Sequence, residues 1–418
     1  MNRTPVIVTG LLTTSLLAFT PLATAQESAT TPPNTTVTTV TNEVQVPADQ
    51  PTIDLVICLD TSNSMDGLIN AARTKIWQIV NDLALAEPTP RLRIALLDYG
   101  NDSLDPETGW VRIDSPFTED LDLISQQLFG LTTDGGTEYV GRVLQRSLEN
   151  LDWTESDKNL KLIVVSGNES ANQDPDYNFQ EVCRALIAKG IMVNSIYCGG
   201  VADDDAPGWT QIAKLTDGQF ASIDPNYESV AIATPFDEQM TDLSGQLNTT
   251  YIPLGVEGQA SWANQAQQDE NAYGASIGGG ASRARTKGSS LYYCGWDLCD
   301  AIDRKEVDLE TIDVATLPEE MRTMTKPERL AYVETKRTER KKIQDQIQDL
   351  DVKREAFITE ARKDHAENED QAFDVAVRKA IRTQAENKGF SFPNQTVVND
   401  ETSVEATEET KESTDTSS

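Results

Sequence analysis

The chain of 418 residues contains one histidine, His365, set in a strongly charged stretch. A Ser-His-Asp or Cys-His site would depend on that residue, far from any recognisable nucleophile motif, which weakens most hydrolase readings. Basic residues are also scarce: 35 Lys and Arg face 68 Asp and Glu, for a formal charge of −33. Polyphosphates and acidic lipids would be repelled, so no nucleic acid and no anionic membrane surface is expected as a partner. Aromatics make up 6%. The tryptophans Trp77, Trp110, Trp153, Trp209, Trp262 and Trp296 are too scattered for a ligand platform and read as packing residues. Beyond the N-terminus no run is long and apolar enough to span a bilayer. The 38% apolar content nevertheless indicates a folded core, and the length suggests two domains.

Cysteine is sparse and odd in number, with five in all. Cys58 and Cys198 fall in strand-like runs and Cys183 in a helix-like one, where small buried core residues are expected. Cys294 and Cys299 bracket Gly-Trp-Asp-Leu and are compatible with either a small disulfide ring or a buried thiol pair.

The first 25 residues have the layout of a signal peptide: Arg3 near the start, a mostly apolar run from Val6 to Leu22, then Ala23-Thr24-Ala25. Cleavage after Ala25 is expected, leaving a secreted or periplasmic protein with no transmembrane segment. Residues 26–50 are a Thr/Pro-rich spacer expected to be disordered. From 51 to about 250, strand-like runs alternate with amphipathic stripes. Strands are expected at Ile53–Leu59, Arg93–Tyr99, Val111–Ser115, Leu160–Ser166, Met192–Cys198 and Gln219–Ile223. Helical stripes include Ile69, Ile76, Ile79 and Leu83; Leu121, Ile124 and Leu128; Val140, Val143 and Leu144; Phe179, Val182 and Leu186; and Phe236, Met240, Leu243 and Leu247. This is α/β, a doubly wound, mainly parallel six-stranded sheet with helices on both faces.

Residues 251–295, rich in Ala, Gly, Gln and Ser, read as a flexible linker. Residues 296–393 read as a helical extension. Ile343, Ile347, Leu350 and Phe357 share a face that Arg354 interrupts, which favours a docked helix or a helical hairpin over a coiled coil. The basic run Lys336, Arg337, Arg340, Lys341 and Lys342 reads as a solvated face balanced by Glu334 and Glu339. Phe373, Val377 and Ile381 mark a further helix, and 394–418 an acidic disordered tail.

The first strand runs into Asp60-Thr61-Ser62-Asn63-Ser64, a D-x-S-x-S turn. Ligands gather at the carboxyl ends of strands in open α/β sheets. One carboxylate and two hydroxyls at this spacing can face one cup, and hard oxygens suit Mg²⁺ or Mn²⁺. The bland alternative is a helix N-cap turn in which the same side chains satisfy backbone N–H groups.

With Thr132-Thr133-Asp134-Gly135-Gly136-Thr137-Glu138-Tyr139 further along, the pattern resembles the von Willebrand factor type A domain. That resemblance implies a metal-ion-dependent adhesion site with Asp60, Ser62, Ser64 and Thr137 as ligands. In the family the third loop supplies Thr-Asp-Gly; here Val165-Ser166-Gly167-Asn168-Glu169 puts Gly167 where the aspartate belongs. Loss of that acid weakens a divalent ion's hold unless Glu169, Glu138 or Asp134 reaches in. Glu138-Tyr139-Val140-Gly141-Arg142 and Gly167-Asn168-Glu169 resemble a subgroup of exported bacterial members with C-terminal extensions.

The expected function is therefore a non-enzymatic, exported adhesion or scaffolding module. Its cation, Mg²⁺ or Mn²⁺, would be completed by a carboxylate from a protein partner. The resemblance further implies that the Phe236–Leu247 helix responds to such binding. The alternative is a metal-independent envelope scaffold, for which Gly167 speaks; a hydrolase using carboxylates has no acid pair at an identifiable spacing in its support.

Overall fold

A strand with all nine residues buried opens the fold, Thr52–Asp60 (β1). Its apolar residues lie on both faces, as a central strand covered by two helix layers requires. It is followed by Ile69–Leu83 (α1), Arg91–Tyr99 (β2), Val111–Thr118 (β3), Leu121–Gly130 (α2), Val140–Asn150 (α3), Leu160–Gly167 (β4), Phe179–Ala188 (α4), Ile191–Tyr197 (β5), Ala206–Leu215 (α5), Phe220–Ser222 (β6) and Asp237–Asn248 (α6). The chain continues as Gly255–Ala275 (α7), Gly279–Gly288 (α8), Leu298–Asp303 (α9), Glu319–Arg322 (α10), Lys326–Lys363 (α11) and Glu369–Glu386 (α12). The structure is a computed structural model and describes residues 50–66, 69–223, 232–276, 278–363 and 369–392. The signal-peptide, spacer and acidic-tail expectations lie outside the described residues, as do the side chains of Phe373 and Val377.

The six strands lie in the order β3-β2-β1-β4-β5-β6. All pairings are parallel except β2–β3. Only the loop 100–110 joins those two strands, too short for a crossover, so they pair antiparallel as a hairpin does. The order reverses direction at β1: β2 lies on one side and β4 on the other. Asp60 therefore ends the central strand, paired with Tyr99 on β2, while Leu59 pairs with Ser166 on β4.

One face carries α3, α4 and α5, whose Val143, Leu144, Phe179, Leu186, Trp209 and Ile212 pack on Val56, Cys58, Val165 and Val193. The other carries α1, α2 and α6. The C-terminal residues join that second layer. Ala281 and Ala284 of α8, Leu291, Tyr292, Ile347 and Leu350 of α11, and Ile381 of α12 belong to the same core as Ile57, Leu96, Met240 and Leu247.

Two expectations change here. Residues 251–295 are not a flexible linker: α7 and α8 occupy most of them, and α8 is buried through its small residues, which let it approach α6 and α1 closely. Composition misled because the apolar gain comes from alanine and glycine. A buried polar network adds to it: Lys287 Nζ donates to Ser244 O at 3.0 Å and pairs with Asp269 at 2.7 Å, while Arg283 pairs with Asp269 and Asp122. Burial pulls the Lys287 ammonium down to about 8, against the attraction of Asp269. Second, one member of the basic run leaves the solvated face: Lys341 and Lys342 are exposed, and Lys336 pairs with Glu339 and Arg337 with Glu334 as expected, but Arg340 turns inward. Arg340 is buried, bonds Asp297 at 2.9 Å and Asp300 at 2.7 Å, and stacks on Tyr251. Of the two alternatives for Cys294 and Cys299 the structure takes the buried thiols: both are unbridged, and Cys58, Cys183 and Cys198 are buried and free as expected.

The long helix α11 docks on the α/β layers. Ile347 and Leu350 are buried, Ile343 is half-buried, and Arg354 bonds Asp237 of α6 at 2.8 Å, leaving Phe357 exposed. A third small core, Ile252, Leu298, Leu309, Leu317, Met321 and Val333, fastens the chain between α6 and α11. The described residues form one compact unit rather than two. Among the described residues no helix is long and apolar enough to cross a membrane.

Candidate metal centre

Three loops meet at the carboxyl ends of β1, β2 and β4, where the strand order reverses. The first follows β1. Asp60 is wholly buried, and its Oδ1 accepts the Ser62 amide at 2.8 Å. Ser62 Oγ lies 2.7 Å from Ser64 Oγ, and the exposed Ser64 donates to Asn168 Oδ1 at 3.1 Å. The short helical turn Asn63–Met65 takes no side-chain cap from Ser62. Asp60 thus satisfies one backbone N–H, as the N-cap alternative requires, but the serine hydroxyls do not act as caps and face one another instead.

The second loop is drawn against the first by its backbone. Asp134 N donates to Thr61 O at 3.1 Å and Asn63 N to Gly135 O at 2.9 Å. Thr137 bridges Gly100, the residue after β2. Gly100 has φ of +79°, and a Cβ there would fall 2.8 Å from Glu138 Cγ and 2.9 Å from Asp60 Oδ1. Glycine is needed twice over at this position, for the backbone and for the space that two acidic side chains take.

The third loop departs furthest from expectation. A side chain at Gly167 would collide with Tyr99 Oη and would lie 2.9 Å from Trp209 Cη2 and 3.1 Å from Asp60 Oδ2. Tyr99 donates to Ser166 O at 3.0 Å, and Trp209 Nε1 to Glu169 O at 2.8 Å. Two anchored aromatics therefore fill the place an aspartate would need. Arg142 of α3 ties the second and third loops together, bonding Asp174 at 2.8 Å and lying over the rings of Tyr139 and Tyr177.

Two oxygens stand out. Asp60 Oδ2 and Glu138 Oε2 are buried and have no hydrogen-bond partner. Burial pushes the Asp60 carboxyl up to about 6, against the Ser62 amide that favours its charge. Burial and then the neighbouring Asp60 charge push Glu138 up to about 8, opposed by the Ser62 hydroxyl. Orphaned acid oxygens beside two hydroxyls and an amide oxygen are the donor set of a hard cation that keeps several waters. Among the described residues no three His, Cys, Asp or Glu side chains gather as a metal group. Any cation here would rest on two carboxylates and neutral oxygens.

Asp60, Ser62 and Ser64 are thus brought together, and Thr137 comes to the same corner through its backbone bridge to Gly100. Of the three acids named as substitutes for position 167, Glu138 turns inward. Asp134 is exposed, and the Glu169 carboxylate accepts from Gln173 at 3.1 Å. Tyr99, Trp209 and Asn168 went unrecognised in the sequence; only strand register, which places Tyr99 beside Asp60, could have flagged the first.

Residues 54–236 match the family model described as the von Willebrand factor type A domain. No curated protein matches the chain. Among solved structures, a von Willebrand factor type A protein from Catenulispora acidiphila is 17% identical over 42% of this chain and 40% of its own length, with a TM-score of 0.33. The pilus adhesin SpaC from Lactobacillus rhamnosus GG is 15% identical over 42% of this chain and 28% of its own, TM-score 0.33. Proximal thread matrix protein 1 from the mussel byssus, described with a zinc-occupied MIDAS motif, is 11% identical over 43% of each chain, TM-score 0.33. This chain thus spans less than half the length of each of the three.

Proposed function

We propose, on the premise that residues 54–236 form a von Willebrand factor type A domain, that the chain is an exported protein-binding module. Its cup would hold Mg²⁺ or Mn²⁺ and engage an acidic group of a partner. Asp60, Ser62, Ser64 and Thr137 would hold the ion, which supplies a positive charge onto which a partner carboxylate closes by displacing a water. The observation that carries this reading is Asp60 Oδ2, buried without a partner beside two hydroxyls that do not cap the turn. The rim is acidic, with Asp66, Asp102 and Asp134 exposed. Without a cation this rim would repel an acidic partner. Export to the periplasm or beyond is supported by the layout of Met1–Ala25.

Helix α6 is clamped by the C-terminal helices, through Lys287 to Ser244 and Arg354 to Asp237. Whatever binding does to α6 is therefore passed to α8 and α11. Hydrogen exchange of 237–248 with Mn²⁺ and partner present tests this link, and unchanged protection would reject it.

The metal-independent scaffold is favoured by one observation, the aromatic filling beside Gly167. Calorimetry of Mg²⁺ and Mn²⁺ binding to the full chain separates the two readings. Saturable binding lost in Asp60→Asn supports the cation site, and no binding heat with either metal supports the scaffold. Affinity capture of partners from the native envelope, with and without chelator, then tests whether partner binding needs the ion.

A further inference from the structure

We infer that Glu138 supplies the second carboxylate of the cation cup, in place of the acid that the third loop lacks. This rests on the reading that a divalent cation binds beside Asp60. Glu138 is 5% exposed and Asp60 0%, and each keeps one buried oxygen without a partner. Among the described residues neither acid is in an ion pair, and leaving two such oxygens unmatched in a dry pocket is costly. Their side chains bracket one backbone position, Gly100, where a Cβ would lie 2.8 Å from Glu138 Cγ and 2.9 Å from Asp60 Oδ1. The two acids therefore lie side by side against Gly100.

The bridge between Thr137 and Gly100 explains why. It seats residue 137 beside the end of β2, and the next side chain turns under the loop toward Asp60. Position 167 is closed to any acid by Tyr99 and Trp209. Two carboxylates balance a doubly charged ion, and one or two are what Mg²⁺ ordinarily takes from a protein. The donor has thus moved from the third loop to the second. The third loop keeps only Asn168, whose amide oxygen orients Ser64.

The test uses the full chain and Mn²⁺ alone, followed by the loss of the free-ion electron paramagnetic resonance signal. Wild type, Asp60→Asn, Glu138→Gln and Glu169→Gln are compared, with thermal melts in chelator as a folding control. Glu138→Gln is expected to weaken Mn²⁺ binding more than tenfold, and Glu169→Gln less than tenfold. Should Glu138→Gln melt far below wild type, Glu138→Ser, which keeps an oxygen but no charge, takes its place under the same threshold. Binding that Asp60→Asn abolishes and Glu138→Gln weakens less than tenfold overturns the role of Glu138 while leaving the cation site standing. A wild type that takes up no Mn²⁺ overturns both.

Discussion

Restoring the acid that the family carries at the third loop should damage this protein. At Gly167 even a methyl group runs into Tyr99 Oη and comes to 2.9 Å from Trp209 Cη2. Neither ring can retreat easily, since Tyr99 is hydrogen-bonded to Ser166 O and Trp209 to Glu169 O, and both rings are buried. Overpacking of this kind costs about 1–3 kcal/mol. Displacing the Tyr99 hydroxyl strands a buried carbonyl for about another 1 kcal/mol. Gly167→Ala should therefore lose on the order of 3 kcal/mol, and Gly167→Asp more, because its charge would sit beside Asp60 Oδ2. Urea unfolding of both variants in chelator reads the loss as a shift in midpoint at constant slope. A cycle with Tyr99→Phe isolates the clash: removing the hydroxyl should return at least about 0.5 kcal/mol of the alanine penalty. Gly167→Ala within about 0.5 kcal/mol of wild type, or a stable Gly167→Asp with tighter Mn²⁺ binding, would refute the claim that this position is closed.

Asp60 and Glu138 have folded pKa values raised to about 6 and about 8. The folded state then holds more protons than the unfolded chain above about pH 4, so their contribution to stability is complete below that pH and is lost as pH rises toward 8. In chelator, wild type should lose stability more steeply over this window than Glu138→Gln, and saturating Mg²⁺ should flatten the difference; identical slopes in chelator would exclude the acid pair. Lys287→Met should cost about 3–5 kcal/mol by leaving Asp269 short of a buried partner, with a loss little changed between low and high salt because the pair is shielded from solvent. A chain ended after residue 250 exposes the faces of α6 and α1 on which α8 and α11 packed. It should bind hydrophobic dye and unfold without a sharp transition, whereas a cooperative melt like that of the full chain would contradict the shared core.

The first loop was legible because its chemistry is local: Asp60, Ser62 and Ser64 lie within five residues, and their mutual distances follow from one turn. The strands were legible to within three residues because buried runs of Val, Ile and Leu admit few alternatives; the largest miss is the end of β3, which continues past Pro116 to Thr118. What escaped was long-range. Trp209 reads as an ordinary packing residue and Tyr99 as the end of a strand, and only the register of β2 with β1 and the placement of α5 bring them to Gly167. The burial of α8 escaped for a different reason: Ala281, Ala284 and Gly288 carry little apolar weight, and Arg283 and Lys287 look like surface residues until Asp122, Asp269 and Asn248 are placed around them.

Crystals of the full chain soaked in Mn²⁺ test the cup most directly. Anomalous difference density should show one ion in contact with Asp60 and Glu138, with the Ser62 and Ser64 hydroxyls among its ligands at roughly 2.0–2.3 Å. A cup that stays without a peak at saturating Mn²⁺ would contradict the account.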